Sequence, residues 1–134
     1  MKRIFWAVLG AVLFTAGCAD PVAPTTPTPA VPTVTDTFSD TLLVLGSNTH
    51  QFTVATVGGV KVSLTSVDPG AIVGLGVGTP SLGSCSVIDH IEAVAGKDVK
   101  LSGTATVPGS YCVVIYDIGN LVEPAVYSID VLHS

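Results

Sequence analysis

One short segment of the chain concentrates the residue types that hydrolytic enzymes use. Two serines, a histidine and two acids flank Cys85, namely Ser84, Ser86, Asp89, His90 and Glu92. Nucleophilic hydrolysis needs a serine or cysteine beside a histidine that is oriented by an acid. On an extended segment Asp89 and His90 point to opposite faces, and no G-x-S-x-G turn presents a serine. We therefore predict that the protein is not an enzyme and assign no catalytic residue.

Three other patterns are compatible with ligand binding but have simpler explanations. The loop 117–123 offers the oxygens of Asp117, Asn120 and Glu123 to calcium, yet calcium takes ~6 to 8 ligands and a tight turn uses the same residue types. The histidines at 50, 90 and 133 are far apart and would bind zinc only if the fold brought them together. We predict no metal and no cofactor.

Glycine occupies every second position at 74, 76 and 78. A dinucleotide-binding loop would need a helix after these glycines, and the sequence does not indicate one. On a strand, the glycines would let a neighbouring side chain or sheet approach closely. The alternative is a flat, open face that binds a ligand.

The first cysteine carries the strongest chemical signal. Cys18 follows a cationic start, an apolar run over 4–14 and a few small residues, which is the order of a secretory signal peptide. The apolar run is shorter than the ~20 residues of a membrane-spanning helix. The small residues resemble the bacterial lipobox, where the cysteine thiol receives diacylglycerol, although Thr15 stands where leucine is usual. We predict a lipoprotein signal peptide over 1–17 and lipidation of Cys18, with an ordinary signal peptide cut at a nearby alanine as the alternative.

Two cysteines remain for the exported protein. An oxidising compartment allows Cys85 and Cys112 to form a disulfide, which would stabilise the domain by roughly 3 to 4 kcal/mol. The alternative, in which the two thiols bind a metal, lacks a C-x-x-C spacing and nearby histidine pairs. We predict the disulfide.

The segment after the signal peptide is a predicted Pro/Thr-rich linker over 18–35. Five prolines occur between positions 20 and 35, without a periodic apolar face. Such a segment forms an extended tether of at most ~50 Å at ~3.1 Å per residue. The chain from residue 18 onward has three lysines and ten acidic residues, a net charge of −7. This balance excludes the basic surface that nucleic acids require.

The remainder, 36–134, is predicted to be an all-β domain. The chain has 22 valines and 15 threonines, which favour extended structure. Alternating polar and apolar residues indicate strands with one buried face, as in antiparallel sheets. We predict an antiparallel β-sandwich of about eight strands, over 37–44, 49–56, 60–67, 71–77, 86–94, 98–106, 110–117 and 125–132.

Three runs, 48–67, 109–117 and 127–131, resemble the bacterial pre-peptidase C-terminal domain. They read NTHQFTVATVGGVKVSLTSV, GSYCVVIYD and YSIDV. The resemblance implies a jelly-roll-like sandwich that serves as an accessory binding or folding module of secreted enzymes. This chain has no protease domain, and its Cys85 and Cys112 pair is not part of the family pattern.

These observations together predict a lipoprotein of the cell envelope, anchored by lipid at Cys18 and outside the cytoplasm. In a bacterium with two membranes, Ala19 after the cysteine favours the outer membrane. We predict a non-catalytic module that binds an extracellular protein or polysaccharide through the loop 117–123 or the glycine-lined strand at 74–78. The alternatives are an accessory subunit of a secreted hydrolase and a structural envelope protein without a ligand.

Overall fold

The computed structural model describes residue 17 and residues 21–134 of the chain. The predicted lipidation site Cys18 and most of the predicted signal peptide lie outside the described residues. Residues 21–33 have no regular secondary structure. Within the described part, no helix has the length and hydropathy of a membrane span.

The described residues form eight strands, as predicted from the sequence. They are β1 Val34–Leu42, β2 Ser47–Val54, β3 Gly58–Asp68, β4 Val73–Ser81, β5 Ser84–Ala93, β6 Leu101–Ala105, β7 Gly109–Tyr116 and β8 Ala125–His133. The observed boundaries differ from the predicted ones by up to four residues. The first strand includes Val34 and Thr35, which fall within the predicted linker.

The strands form two four-stranded antiparallel sheets. The strand order is β1-β8-β3-β6 in one sheet and β2-β7-β4-β5 in the other. This order is that of a jelly roll, in which consecutive strands mostly alternate between the sheets. The structure therefore confirms the predicted all-β, jelly-roll-like sandwich.

Inward-facing side chains of both sheets make one core. Along β8, Tyr127, Ile129 and Val131 are fully buried, and Val113 and Ile115 of β7 face them from the other sheet. Each fully buried aliphatic side chain contributes roughly 1.5 to 3 kcal/mol relative to exposure. The alternation seen in the sequence thus reports which residues enter the core.

The two ends of the sandwich carry different parts of the chain. At one end, which we call the proximal end, Val34 pairs with His133. There the backbone of Ser134 also accepts a hydrogen bond from Ala55 N at 2.9 Å. The predicted linker therefore joins the first strand at the proximal end. At the opposite, distal end lie four loops, 43–46, 69–72, 94–100 and 117–124.

The glycine-lined face of β4 is covered. The ring of Tyr116 lies over Gly74, Val87 and Val114 lie over Gly76, and the backbone of Ser86 lies over Gly78. A β-carbon at position 74 or 78 would overlap these atoms. The prediction of close approach is confirmed, and the alternative of an open binding face at 74–78 is wrong.

Candidate functional site

The serine, histidine and acid residues around Cys85 lie on β5, an edge strand of its sheet. The side chain of His90 is exposed, and Asp89 Oδ1 accepts the backbone N–H of His90 at 2.9 Å. Ser84 Oγ donates instead to the carbonyl oxygen of Ser81 at 2.9 Å. Within the described residues these side chains do not form a hydrogen-bonded relay of nucleophile, base and acid.

Cys85 and Cys112 are bonded to each other, with their α-carbons 5.8 Å apart. The disulfide joins β5 to β7, although β4 lies between these strands in the sheet. A bulge in the pairing of β4 with β5 lets the start of β5 lie over Gly78, the register partner of Cys112. Because glycine has no side chain at this point, the two cysteines can approach each other. Their sulfur atoms are not free to bind a metal.

A polar network lies at the β1–β2 edge, where the first strands of the two sheets meet. The side-chain amide of Asn48 donates to Tyr127 Oη and to Thr41 O, each at 3.0 Å. His50 Nε2 lies 2.7 Å from the same tyrosine oxygen. Because Tyr127 accepts from Asn48, its own hydrogen is free to point at His50, which then accepts in its neutral form.

The ionisation of both rings agrees with this assignment. Burial lowers the pKa of His50, and the negative charge of Asp40 opposes that shift. Burial also raises the pKa of Tyr127, while the hydrogen bond from Asn48 opposes it. Both residues therefore favour the neutral forms that the hydrogen bond between them requires.

The same edge contains a second histidine, His133, which is far from the other histidines in the sequence. His133 is buried, and its Nε2 lies 3.0 Å from Asp36 Oδ2. The ring of Phe38 stacks on His50 with their centroids 4.8 Å apart. The only sequence signal for this cluster is the alternation of polar and aromatic residues on β1 and β2. In residues 17 and 21–134, no three His, Cys, Asp or Glu side chains are grouped as metal ligands.

At the distal end, the carboxylate of Asp117 organises two loops. Its Oδ1 accepts the backbone N–H groups of Gly119, Asn120 and Leu121 at 2.9 to 3.1 Å, and its Oδ2 accepts that of Leu45 at 2.8 Å. These bonds lower the pKa of Asp117, with the bond from Leu45 the largest cause and partial burial opposing it. Asp117 therefore holds loops 43–46 and 117–124 together.

A third distal loop is joined through Asn120. The side-chain amide of Asn120 donates to Ile72 O at 3.0 Å. Asn120 and Asp117 thus have structural roles in the loop that the sequence suggested as an oxygen-rich calcium site. Both carboxylate oxygens of Asp117 are already used by amides.

The β5–β6 edge, opposite the polar network, is open. A cavity of about 180 Å³ lies between the sheets there, lined mainly by apolar side chains that include Val62, Val77, Leu101 and Tyr111. Ile88 of β5 also lines this cavity, and its side chain is 73% exposed.

Comparison with known proteins identifies a solved structure of similar fold. No protein-family model matches the chain, and no curated protein matches it in sequence. Among solved structures it is similar to PliG of Aeromonas hydrophila, a periplasmic lysozyme inhibitor of g-type lysozyme, with a TM-score of 0.53 and 12% identity. The alignment covers 72% of this chain and 83% of that chain. The likeness shows a shared β-sandwich; the predicted pre-peptidase resemblance has no matching family model behind it.

Proposed function

We propose that this protein is an exported, lipid-anchored module that binds another protein outside the cytoplasm and catalyses no reaction. The observation that carries the proposal is the placement of the chain: the linker joins the proximal end, and four loops lie at the distal end. A tether at one end leaves the opposite loops accessible to a partner. Binding residues occur disproportionately on loops that a rigid scaffold positions.

Two further observations support this proposal. The Cys85–Cys112 disulfide suits an oxidising compartment outside the cytoplasm. The similar sandwich of PliG belongs to a periplasmic protein that inhibits a lysozyme, so a sandwich of this kind can act by binding a protein. This favours a protein over a polysaccharide as the partner.

Binding is tested with the full chain carrying Cys18→Ser, purified after export so that its disulfide has formed. It is immobilised and exposed to g-type lysozyme and, separately, to a native envelope extract. We expect saturable capture of a protein by the folded chain and no capture by the reduced, unfolded chain. Capture of an intact hydrolase that remains active would favour the accessory-subunit alternative. Binding to no protein, or to a polysaccharide only, would contradict the proposal.

The anchor is tested by fractionation and by mass spectrometry of the mature N-terminus. Acyl chains contribute ~0.8 kcal/mol per buried CH₂, so a chain lipidated at Cys18 should remain with membranes and the Cys18→Ser variant should be released. Ala19→Asp is the control in a host with two membranes: it should stay membrane-bound but move from the outer to the inner membrane. An unlipidated mature N-terminus would refute the anchor.

A further inference from the structure

Five large apolar side chains are exposed together at the distal end. They are Leu43, Val44, Leu45, Ile72 and Val122, with exposed fractions of 61, 42, 78, 45 and 93%. They come from three loops that Asp117 and Asn120 hold together by hydrogen bonds. We call this set the distal tip. Turns normally carry polar residues, and clustered exposed apolar side chains mark interaction sites.

Leu45 gives an independent indication of function. Its φ angle is +57°, a left-handed conformation that bulky residues rarely adopt and that asparagine or glycine adopts readily. The turn is closed by Gly46 N, which donates to Leu43 O at 2.9 Å. Leucine is therefore poorly suited to this position by conformation and by exposure. Leu82 in the β4–β5 turn has the same two properties, so what distinguishes Leu45 is the hydrogen bond from its backbone to Asp117 within the tip.

The tip is also organised before any partner arrives. Four backbone N–H groups converge on the Asp117 carboxylate, so the loops that carry Leu45 and Val122 have defined positions. A surface that is ordered in the free protein loses less conformational entropy on binding. This arrangement suits specific binding to one partner surface.

The charges beside the tip indicate the chemistry of the partner. Glu123 follows Val122, and Asp68 precedes the loop that carries Ile72. Lys100 in the neighbouring distal loop is paired with Asp98 at 2.8 Å, which leaves Lys97 as the other cation of that loop. Residues 36–134 have three lysines and nine acidic residues, a net charge of −6, which favours association with positively charged proteins.

Building on the proposed function, we infer that the distal tip is the binding surface and that it docks on a basic protein with an apolar patch bordered by lysine or arginine. A second copy of this acidic chain would be repelled electrostatically. In the proposed function the lipid anchor is attached through the tether at the proximal end, and the tip is at the opposite end. A basic protein in the surrounding compartment matches the negative charge beside the tip and can reach the tip from the side opposite the tether.

The test places a photo-crosslinking amino acid at position 45 in the intact, anchored protein in its native envelope. The matched control has it at Val107, a valine 63% exposed in a loop of the proximal end. We expect a crosslink from position 45, and not from 107, to a protein with an isoelectric point above neutrality. Crosslinking of a second copy, of lipid, or of an acidic protein at position 45 would overturn the inference. A partner crosslinked from position 107 alone would overturn the assignment of the distal tip as the binding surface, while leaving the proposed function intact.

Two substitutions then measure the tip's contribution to binding of the crosslinked protein. Leu45→Asn suits the left-handed turn and removes the apolar side chain, so it should preserve the thermal midpoint while weakening binding roughly tenfold or more. Val107→Ser should leave binding unchanged. Equal binding by wild type and Leu45→Asn would contradict the assignment. Capture of no protein by any variant would instead count against the proposed function itself.

Discussion

The two edges of the sandwich are secured in different ways. At the β1–β2 edge, inward-facing polar and aromatic side chains bridge the sheets through Asn48, His50 and Tyr127. At the β5–β6 edge there is an apolar cavity instead, and the only buried residue of β5 is Ala93. Strand β5 is held by its pairing with β4 and by the disulfide to β7.

This difference shows what a strand with a single small core residue needs. The other seven strands each bury at least one large apolar side chain, whereas β5 has one neighbour and buries only the small side chain of Ala93. A covalent bond is then the strongest attachment available to it. The β1–β2 edge needs none, because its network satisfies polar groups that would be costly to bury unpaired.

The largest effect is expected from breaking the disulfide at the open edge. Cys85→Ala should lower the free energy of unfolding by about 2 to 5 kcal/mol, since the bond constrains a long loop in the unfolded chain. Denaturant unfolding measures the loss, and hydrogen exchange should show that β5 loses protection before the other strands. The Cys85→Ala/Cys112→Ala double variant should match it. Two free thiols in the unfolded, unreduced wild type would refute the pairing.

The closed edge should respond less strongly. Tyr127→Phe removes the hydroxyl that Asn48 and His50 share, and should cost about 1 to 2 kcal/mol because two half-buried groups lose their partner. The control is Tyr111→Phe, which removes an exposed bond to Val107 O that water replaces. The measurement is the thermal midpoint of unfolding of each variant, compared with that of the wild type. An equal or greater loss from Tyr111→Phe would show that the network does not secure this edge.

The closed edge also predicts a pH dependence with a definite sign. The folded pKa of His50 lies below its ordinary 6.5, so the unfolded chain binds more protons between these values. The contribution of His50 to stability is complete above pH 6.5 and is lost as the pH falls through the folded pKa. The Tyr127 hydroxyl faces the ring, the charge of Asp40 acts on it, and the His133–Asp36 pair lies on the same edge. In His50→Gln, unfolding measured from pH 7.5 to 5 should show a shallower decline; an unchanged decline would contradict this assignment.

The smallest effect on stability is expected at Ile88, which lines the cavity of the open edge but is mostly exposed. Ile88→Ser should change the free energy of unfolding by less than about 0.5 kcal/mol, because the side chain is 73% exposed. It should reduce self-association at high concentration, since exposed apolar edge strands pair with other chains. Val126→Ser, at a 57% exposed valine on the central strand β8, is the control. Sedimentation that shows equal self-association for both variants would argue against pairing through β5.

Much of the fold could be predicted because its signals are local. Alternation in β8 identified Tyr127, Ile129 and Val131 as core residues, and all three are buried. Strand ends were less certain: β4 was predicted to end at 77 but continues to Ser81. Its continuation depends on pairing with β5, and the Leu82–Gly83 turn, both with positive φ, joins them.

The candidate site could be predicted only in part. The sequence pointed to the loop 117–123, and the structure places that loop at the distal end. It did not indicate that the oxygens of Asp117 bind backbone amides, including that of Leu45, 72 positions away. Backbone amides carry no sequence signature, so a polar loop residue looks the same whether it binds a metal or its own chain.

The sequence by itself determined the composition of the strands, their two-faced character and the cysteines available for pairing, because these depend on residue type and short spacing. Only the tertiary structure decided which edge is polar and which is open. His133 and Asp36 are separated by 97 positions, and His50 and Tyr127 by 77. Such contacts depend on the register of strands brought together by the whole jelly roll, and no local pattern encodes that register.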